Sequence, residues 1–426
     1  MAFVITAAFV VGYIFIATEH FTKINKSAAA LLTGVVCWTV YALGAPGGHD
    51  AGTQLMGQVA DITGILFFLM GAMTIVEIID AHNGFETVTA ILSAGSKLRL
   101  LWLTTIAGFF LSAVLDNLTT TIVMVSLLSK ILSKREDLLL FTGLVIIAVN
   151  AGGAWTPIGD VTTTMLWIGG RISSFAIIKI LLAPSLVCAA VPLLWISFRF
   201  KDGKDKIKFR GENLLTVQEQ RAGRLVFLVG VGVLLLVPVF KAVTHLPPFI
   251  GMIFGLGILW VFTEVLHRKG DEEKRHRHSA TRALQRIDMP SVMFFLGILL
   301  CISALQSVGV LPALALWLDR FVGNTKIIVL AIGLLSAIVD NVPLVAGAIK
   351  MYPLSQFGAD HHFWSFLSYC AGTGGSMLVI GSAAGVAAMG MARIDFFWYL
   401  KKITPLALAG YIAGAAVYIL QERIFL

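Results

Sequence analysis

The chain has 426 residues, of which 58% are hydrophobic and only 13% are charged, and its mean hydropathy is +0.88. A soluble protein carries about a quarter charged residues, so this composition excludes an ordinary water-soluble fold and indicates a surface that faces lipid. The net charge of +8 does not indicate a nucleic-acid surface, because excess Lys and Arg mark the cytoplasmic loops of membrane proteins. We therefore expect a multi-pass membrane protein that contacts lipid and no nucleic acid.

Apolar runs long enough to cross a bilayer recur along the whole chain. A hydrocarbon core of about 30 Å needs a helix of about 20 apolar residues. Two apolar segments, 98–133 and 326–357, are interrupted halfway by polar residues, and we expect re-entrant hairpins there. The fold is thus predicted to be all-α, with about ten transmembrane helices and two re-entrant hairpins. The predicted spans are 2–18, 27–45, 59–79, 138–169, 174–198, 225–243, 249–266, 291–309, 363–392 and 403–421.

The basic residues predict how the chain threads the membrane. If the loop 199–224 is cytoplasmic, 25 of the 32 Lys and Arg fall on that side, as expected of cytoplasmic loops. Both termini then lie outside. The N-terminal residues show neither a signal-peptide pattern nor a transit sequence, so we expect a multi-pass protein of the bacterial cytoplasmic membrane.

The two halves of the chain repeat one another. The segment Ser112–Asn117 recurs as Ser336–Asn341, and the pair Gly152 and Gly153 recurs as Gly374 and Gly375 at nearly the same offset. Five crossings per half is an odd number, so the second copy enters the membrane upside down. Inverted repeats with interrupted helices are typical of secondary transporters. We divide the chain into a first repeat, 1–199, a basic cytoplasmic linker, 200–224, and a second repeat, 225–426.

Each hairpin contains a carboxylate at its centre. Asp116 and Asp340 are each followed by Asn and a short break, and Pro343 prevents a continuous helix in the second copy. Charges at bilayer depth are costly and mark functional sites, and carboxylate, amide, hydroxyl and carbonyl oxygens are the ligands that hard cations prefer. The alternative is that each Asp caps a helix N-terminus, which does not exclude ion binding.

A second break is predicted between Asn150 and Asp160. Three glycines and one proline fall within eight residues of this segment and forbid a regular helix. In the second repeat, Ser382 stands where Asp160 stands in the first, and Leu378 stands where Thr156 stands. We therefore expect an asymmetric site that is biased toward the first half.

These motifs together resemble the ion transporter superfamily, and most closely its NhaD-type sodium/proton antiporters. The resemblance rests on the segments 77–82, 113–121, 150–164 and 340–344 and extends over essentially the whole chain. It implies a homodimer in which scaffold spans, 1–80 and 225–309, flank hairpin and transport spans, 98–199 and 326–426. It also implies elevator-like movement of the transport spans.

The resemblance and the polar pattern select the candidate residues. Glu77 is a candidate proton relay, with an interfacial acid as the alternative. Na⁺ is expected at Asp116, Asn117, Asp160 and Asp340. The full set of candidate ion-binding residues is Asp116, Asn117, Thr119, Thr120, Asn150, Thr156, Asp160, Asp340, Asn341, Thr373 and Ser376.

The leading hypothesis is exchange of Na⁺, and of Li⁺ as a second substrate, for H⁺. Burial favours the protonated form of a carboxylate, so one Asp holds either a cation or a proton. The alternative is an anion permease of the same superfamily, such as an arsenite or dicarboxylate carrier. Three intramembrane carboxylates disfavour it because they repel an anion.

No enzyme motif is present, and we expect no cofactor beyond the transported Na⁺ and H⁺. The run from His267 to His278 is interpreted as a solvated basic loop, with pH sensing or metal binding as alternatives.

Overall fold

The computed structural model describes residues 1–44, 49–86, 96–198, 216–268 and 278–425. These ranges are built from α-helices joined by short turns, and nine of the described helices are long and apolar enough to cross a membrane. The expected class, an all-α polytopic membrane protein, is confirmed. The first part of the predicted linker, 200–215, lies outside the described residues.

The first half contains nine described helices. Its break at Asp116 separates two helices where the sequence predicts a hairpin, and its second break follows Ala154. The helices are α1 Ala2–Ala17, α2 Glu19–Thr22, α3 Lys26–Gly44, α4 His49–Ala81, α5 Lys97–Leu115, α6 Asn117–Ile131, α7 Arg135–Ala154, α8 Val161–Ile168 and α9 Ser174–Ser197.

The second half follows the same order with additional short helices. Its breaks lie between Leu335 and Asn341 and between Gly374 and Ala383. The helices are α10 Val217–Thr244, α11 Pro248–Leu266, α12 Ala280–Arg286, α13 Met289–Ser307, α14 Val310–Phe321, α15 Thr325–Leu335, α16 Asn341–Met351, α17 His362–Gly374, α18 Ala383–Ala392, α19 Phe396–Lys402 and α20 Thr404–Phe425.

Two helices begin well before their predicted spans. Helix α4 begins at His49, about ten residues before the apolar run, because a helix outside lipid needs no apolar side chains. Helix α10 begins at Val217, inside the predicted linker. There Thr216 and Glu219 form a reciprocal capping box, which satisfies backbone N–H groups at the helix start. The last residues of the predicted linker are therefore helical.

Corresponding helices of the two halves pack in corresponding ways. Helix α5 packs along α7, and α15 packs along α17. Helix α6 contacts α18 of the other half, while α16 contacts α8. The short helix after the second break of each half therefore packs on the helix that follows the central Asp of the other half.

Matching hydrogen bonds hold the hairpins against the broken helices. The Ser112 hydroxyl donates to the backbone carbonyl of Val149 over 2.6 Å, and the Ser336 hydroxyl donates to that of Ala371 over 2.8 Å. All four residues are buried. The repeated Ser therefore has the same role in both halves.

Matching glycines permit the close contact between these helices. A Cβ on Gly152 would lie 2.1 Å from the carbonyl oxygen of Phe109, and one on Gly374 would lie 2.0 Å from that of Gly333. No side chain fits at such distances. The backbones of α5 and α7, and of α15 and α17, meet directly at these positions.

Candidate ion-binding site

Asp116 is the single residue between α5 and α6, and its backbone conformation is unusual. Its φ of 80° and ψ of 159° fall in a region that is essentially restricted to glycine, and such strain concentrates at functional sites. One carboxylate oxygen accepts from the Thr119 backbone N–H over 2.8 Å, and the other accepts from the Thr119 hydroxyl over 2.9 Å. The carboxylate thus caps α6, as the alternative interpretation predicts.

A chain of amides links the first hairpin to the second half. The Asn117 amide donates to the Asn150 oxygen over 3.0 Å. The Asn150 amide then donates to the hydroxyls of Ser376 and Ser382, over 2.9 and 3.0 Å. These hydrogen bonds fix the orientation of both Asn side chains. Four buried polar side chains from both halves are therefore held in one network.

Asp160 forms the reciprocal link. Its Oδ2 accepts from the Thr162 hydroxyl over 2.8 Å and from the Asn341 amide over 3.2 Å. Only 2% of Asp160 is exposed. A buried carboxylate with two neutral donors and no described cationic partner keeps its affinity for a cation or a proton.

Asp116 and Asp340 line one small cavity of about 50 Å³, which we call the central cavity. Asp340 caps α16 by accepting from the Val342 N–H over 3.0 Å. Lys26 also lines this cavity, and its Nζ lies 4.7 Å from the centroid of the Phe294 ring. The walls of the central cavity therefore combine residues around Asp116 and Asp340 with residues of α3, α4, α8, α10, α11 and α13.

A larger cavity of about 360 Å³, which we call the vestibule, adjoins the central cavity. It is lined by Glu77 and Asp80 and reaches Thr119, the residue that holds Asp116. Both cavities include Met73, Val76 and Leu118 in their walls. Glu77 forms an ion pair with Arg286 at 3.4 Å. The candidate proton relay thus lies in the vestibule and not in the central cavity.

The candidate threonines differ in their surroundings. The Thr156 hydroxyl donates to the Ala113 carbonyl, and the Thr373 hydroxyl donates to the Tyr369 carbonyl, each over 2.6 Å. Neither residue is among those that line the central cavity. Thr120 is completely buried, and its hydroxyl has no hydrogen-bond partner among the described residues. A buried unpaired hydroxyl is costly, which fits a site that receives an ion.

Three residues of this region were absent from the candidate set. Thr162 donates to Asp160, and Ser382 accepts from Asn150. Lys26 joins the central cavity from a distant helix. Thr162 follows a predicted break, and Ser382 occupies the repeat position of Asp160. Both could therefore be predicted from the sequence. Lys26 could not, because its position near the hairpins depends on helix packing.

The chain matches a family model and several named transporters over most of its length. The family model described as a citrate transporter, CitMHS, matches residues 13–367. Sodium/proton antiporter 2 of Arabidopsis thaliana is 47% identical over 96% of this chain and 97% of the relative. Sodium/proton antiporter 1 of the same plant is 49% identical over 96% of this chain and 71% of the relative.

The chain is also similar to a bacterial antiporter in sequence and to a solved transporter structure in fold. The Na⁺/H⁺ antiporter NhaD of Alkalimonas amylolytica is 31% identical over 98% of this chain and 90% of the relative. The fold is similar to the crystal structure of the YdaH transporter of Alcanivorax borkumensis, which is described as having an unusual topology. The match covers 88% of this chain and 89% of the YdaH chain, with a TM-score of 0.57. At 14% identity that likeness shows the fold alone. The chain therefore belongs to the family of NhaD-type sodium/proton antiporters, within the citrate transporter family of membrane carriers.

Proposed function

We propose that this protein exchanges Na⁺ for H⁺ across a membrane, with Asp116, Asp160 and Asp340 as the charged part of the site. The observation that carries the proposal is the contact between Asn341 and Asp160, because it brings the hairpin of one half to the carboxylate of the other. The relatives named as sodium/proton antiporters support the same ions.

Competition at one carboxylate couples the two ions. An ionised Asp binds Na⁺, and protonation removes the charge that holds it. The amide oxygens of Asn117 and Asn341 and the hydroxyl of Thr120 supply the neutral oxygens that a hard cation needs. Li⁺ carries the same charge and takes the same ligands, so we include it as a second substrate.

The position of the central cavity supports alternating access by movement of the transport spans. Hairpin residues such as Asp116 and Asp340 face scaffold residues such as Phe68 and Phe295 across the cavity. A sliding movement at this boundary would expose the site to each side in turn. In this scheme the two re-entrant hairpins move with their interlocked helices, and the scaffolds of two copies form a homodimer.

The proposed location is a membrane across which Na⁺ and H⁺ gradients exist. For a bacterial chain this is the cytoplasmic membrane, with the vestibule on the cytoplasmic side. The plant relatives show that chains of this family also serve other organisms. Exchange of this kind supports pH homeostasis because it moves protons in exchange for a metal ion.

The competing function is anion transport, in line with the name of the matching family model. Lys26 at the central cavity is the feature that favours it, since an ammonium group attracts a carboxylate. Against it, the carboxylates of Asp116 and Asp340 line the same cavity and repel an anion.

Purified protein in liposomes distinguishes the two functions. A pH-sensitive dye is enclosed, and NaCl, LiCl or choline chloride is added outside. Exchange predicts proton movement with Na⁺ and Li⁺ and none with choline. Uptake of labelled citrate with no cation-driven proton movement would replace the exchange proposal by an anion carrier.

A further inference from the structure

Three histidines from separate parts of the chain meet at one end of the bundle. His82 follows α4, His267 follows α11, and His278 precedes α12. Each offers one ring nitrogen, and these three atoms lie within 4.8 Å of one another. The ring centroids are 4.8 to 5.1 Å apart. Helices α11 and α12 both pack on α4, so the contact arises from the fold and not from one loop.

We propose that His82, His267 and His278 bind a Zn²⁺ ion. Imidazole nitrogens are preferred ligands of zinc, and three of them fill three positions of a tetrahedral ion, with water at the fourth.

Hydrogen bonds to the backbone prepare two of the rings for this role. His82 Nδ1 lies 2.7 Å from the Ile78 carbonyl oxygen, and His278 Nδ1 lies 2.9 Å from that of Ala81. A ring that donates through Nδ1 carries its lone pair on Nε2. Zinc-binding histidines almost always have such a second contact, which fixes the tautomer and the ring orientation.

The spacing of the nitrogens is close to that of a bound ion. His82 Nε2 and His267 Nε2 are 3.1 Å apart, and tetrahedral Zn–N bonds of about 2.0–2.1 Å separate two nitrogens by about 3.3 Å. The longest separation within the cluster, at most 4.8 Å, requires one ring to move inward. His267 and His278 are only half-buried, so their side chains have room for this movement.

Neutral imidazole is the form of histidine that ligates zinc. An ion here would tie the end of α11 and the start of α12 to the end of α4. The proposal takes the metal-binding alternative for His267 and His278, the two ends of the run that the sequence otherwise suggests is a solvated basic loop.

The test uses the full-length protein in detergent, purified with an affinity tag that contains no histidine. After treatment with a chelator and dialysis, Zn²⁺ content is measured by mass spectrometry and affinity by calorimetric titration. Co²⁺ is added separately because a tetrahedral Co²⁺ site absorbs visible light. We expect one Zn²⁺ per chain and an absorption spectrum typical of tetrahedral Co²⁺.

The variants are His82→Asn, His267→Asn and His278→Asn. An Asn amide can replace the Nδ1 donor but supplies no Nε2 ligand. Each variant should bind Zn²⁺ at least about tenfold more weakly. His245→Asn is the matched control, because His245 is exposed and belongs to a different helix end, and its affinity should not change.

Two results would overturn the proposal. Wild-type protein that takes up no Zn²⁺ and shows no thermal stabilisation by it would reduce the cluster to hydrogen-bonded rings. Equal Zn²⁺ affinity in wild type and in all three variants would place the ion elsewhere. If a variant fails to fold, the wild-type protein still provides a test, because bound Zn²⁺ must protect the two half-buried histidines, His267 and His278, from diethylpyrocarbonate. Exchange of Na⁺ for H⁺ is measured separately, so failure of this site leaves the proposed function untouched.

Discussion

The amide of Asn341 donates to Oδ2 of Asp160 over 3.2 Å, although the two residues are 181 positions apart. In the opposite direction, Asn150 of the first half donates to Ser376 and Ser382 of the second. The second break of each half therefore has a polar partner in the other half. Substitution of these partner residues should reduce transport more than substitution of a polar residue that bonds only within its own helix.

Replacement of Asp160 and of its repeat counterpart should have unequal effects. Asp160→Asn removes the carboxylate charge at the second break of the first half and should abolish exchange. Ser382→Ala removes one acceptor for Asn150 and one cap of α18, so it should only weaken exchange. Initial rates of Na⁺-driven proton movement in liposomes measure both. Equal loss in the two variants would indicate a symmetric site and contradict this prediction.

The role of Asp116 predicts a specific dependence on pH. If Na⁺ and one H⁺ compete at Asp116, the apparent KM for Na⁺ should rise about tenfold per unit decrease of pH once the carboxylate is mostly protonated. Asp116→Asn keeps the shape and an oxygen ligand but removes the charge and the titration. The variant should lose coupled exchange, and any remaining Na⁺ binding should no longer vary with pH. If the Asp116→Asn variant exchanged Na⁺ for H⁺ at the wild-type rate, Asp116 would have no part in the mechanism.

The buried hydroxyl of Thr120 should contribute to Na⁺ affinity. Thr120→Val keeps the side-chain shape, and loss of one contact of about 1 kcal/mol should raise the apparent KM for Na⁺ about fivefold. Thr142→Val is the matched control, because Thr142 in α7 is also completely buried and its hydroxyl also has no described partner. A similar rise in both variants would attribute the effect to packing and not to ion binding.

The glycine contacts predict where an added methyl group destabilises the protein. Gly152→Ala and Gly374→Ala place a Cβ about 2 Å from a backbone carbonyl oxygen, and overpacking of this kind costs at least about 1–3 kcal/mol. Both variants should melt at lower temperature in detergent. Gly257→Ala in α11 is the control, since no atom lies within 4 Å of its added Cβ, and Ala favours a helix. An unchanged melting temperature in Gly152→Ala would contradict the close packing.

The charge distribution predicts the sidedness of exposed positions. Val217→Cys, at the start of α10, should react with an impermeant thiol reagent only from the cytoplasmic side. Ser355→Cys, between α16 and α17, should react only from outside. Both positions are exposed, and the four native cysteines are buried, so background labelling should be low. Labelling of Val217→Cys from outside would overturn the threading and the inverted orientation of the second half.

Reasoning from the amino-acid sequence is sufficient to predict the class of protein, the positions of the breaks and most of the polar residues beside them. The length of each apolar run predicts whether it spans the membrane, because a helix needs about 20 apolar residues to cross a bilayer. Gly, Pro and centrally placed Asp residues mark breaks because they disturb local backbone geometry. These are local properties, and the helix ends at Leu115 and Ala154 agree with them.

The tertiary structure alone decided which polar residues meet. No local pattern links Asn341 to Asp160 or places Lys26 at the central cavity, because these contacts depend on the packing of distant helices. For the same reason Thr156 and Thr373, which have suitable chemistry in the sequence, donate to backbone carbonyls instead. The three histidines at the ends of α4, α11 and α12 converge only when those helices pack together. The sequence therefore predicts which groups are available, whereas the packing of the helices determines which groups share a site.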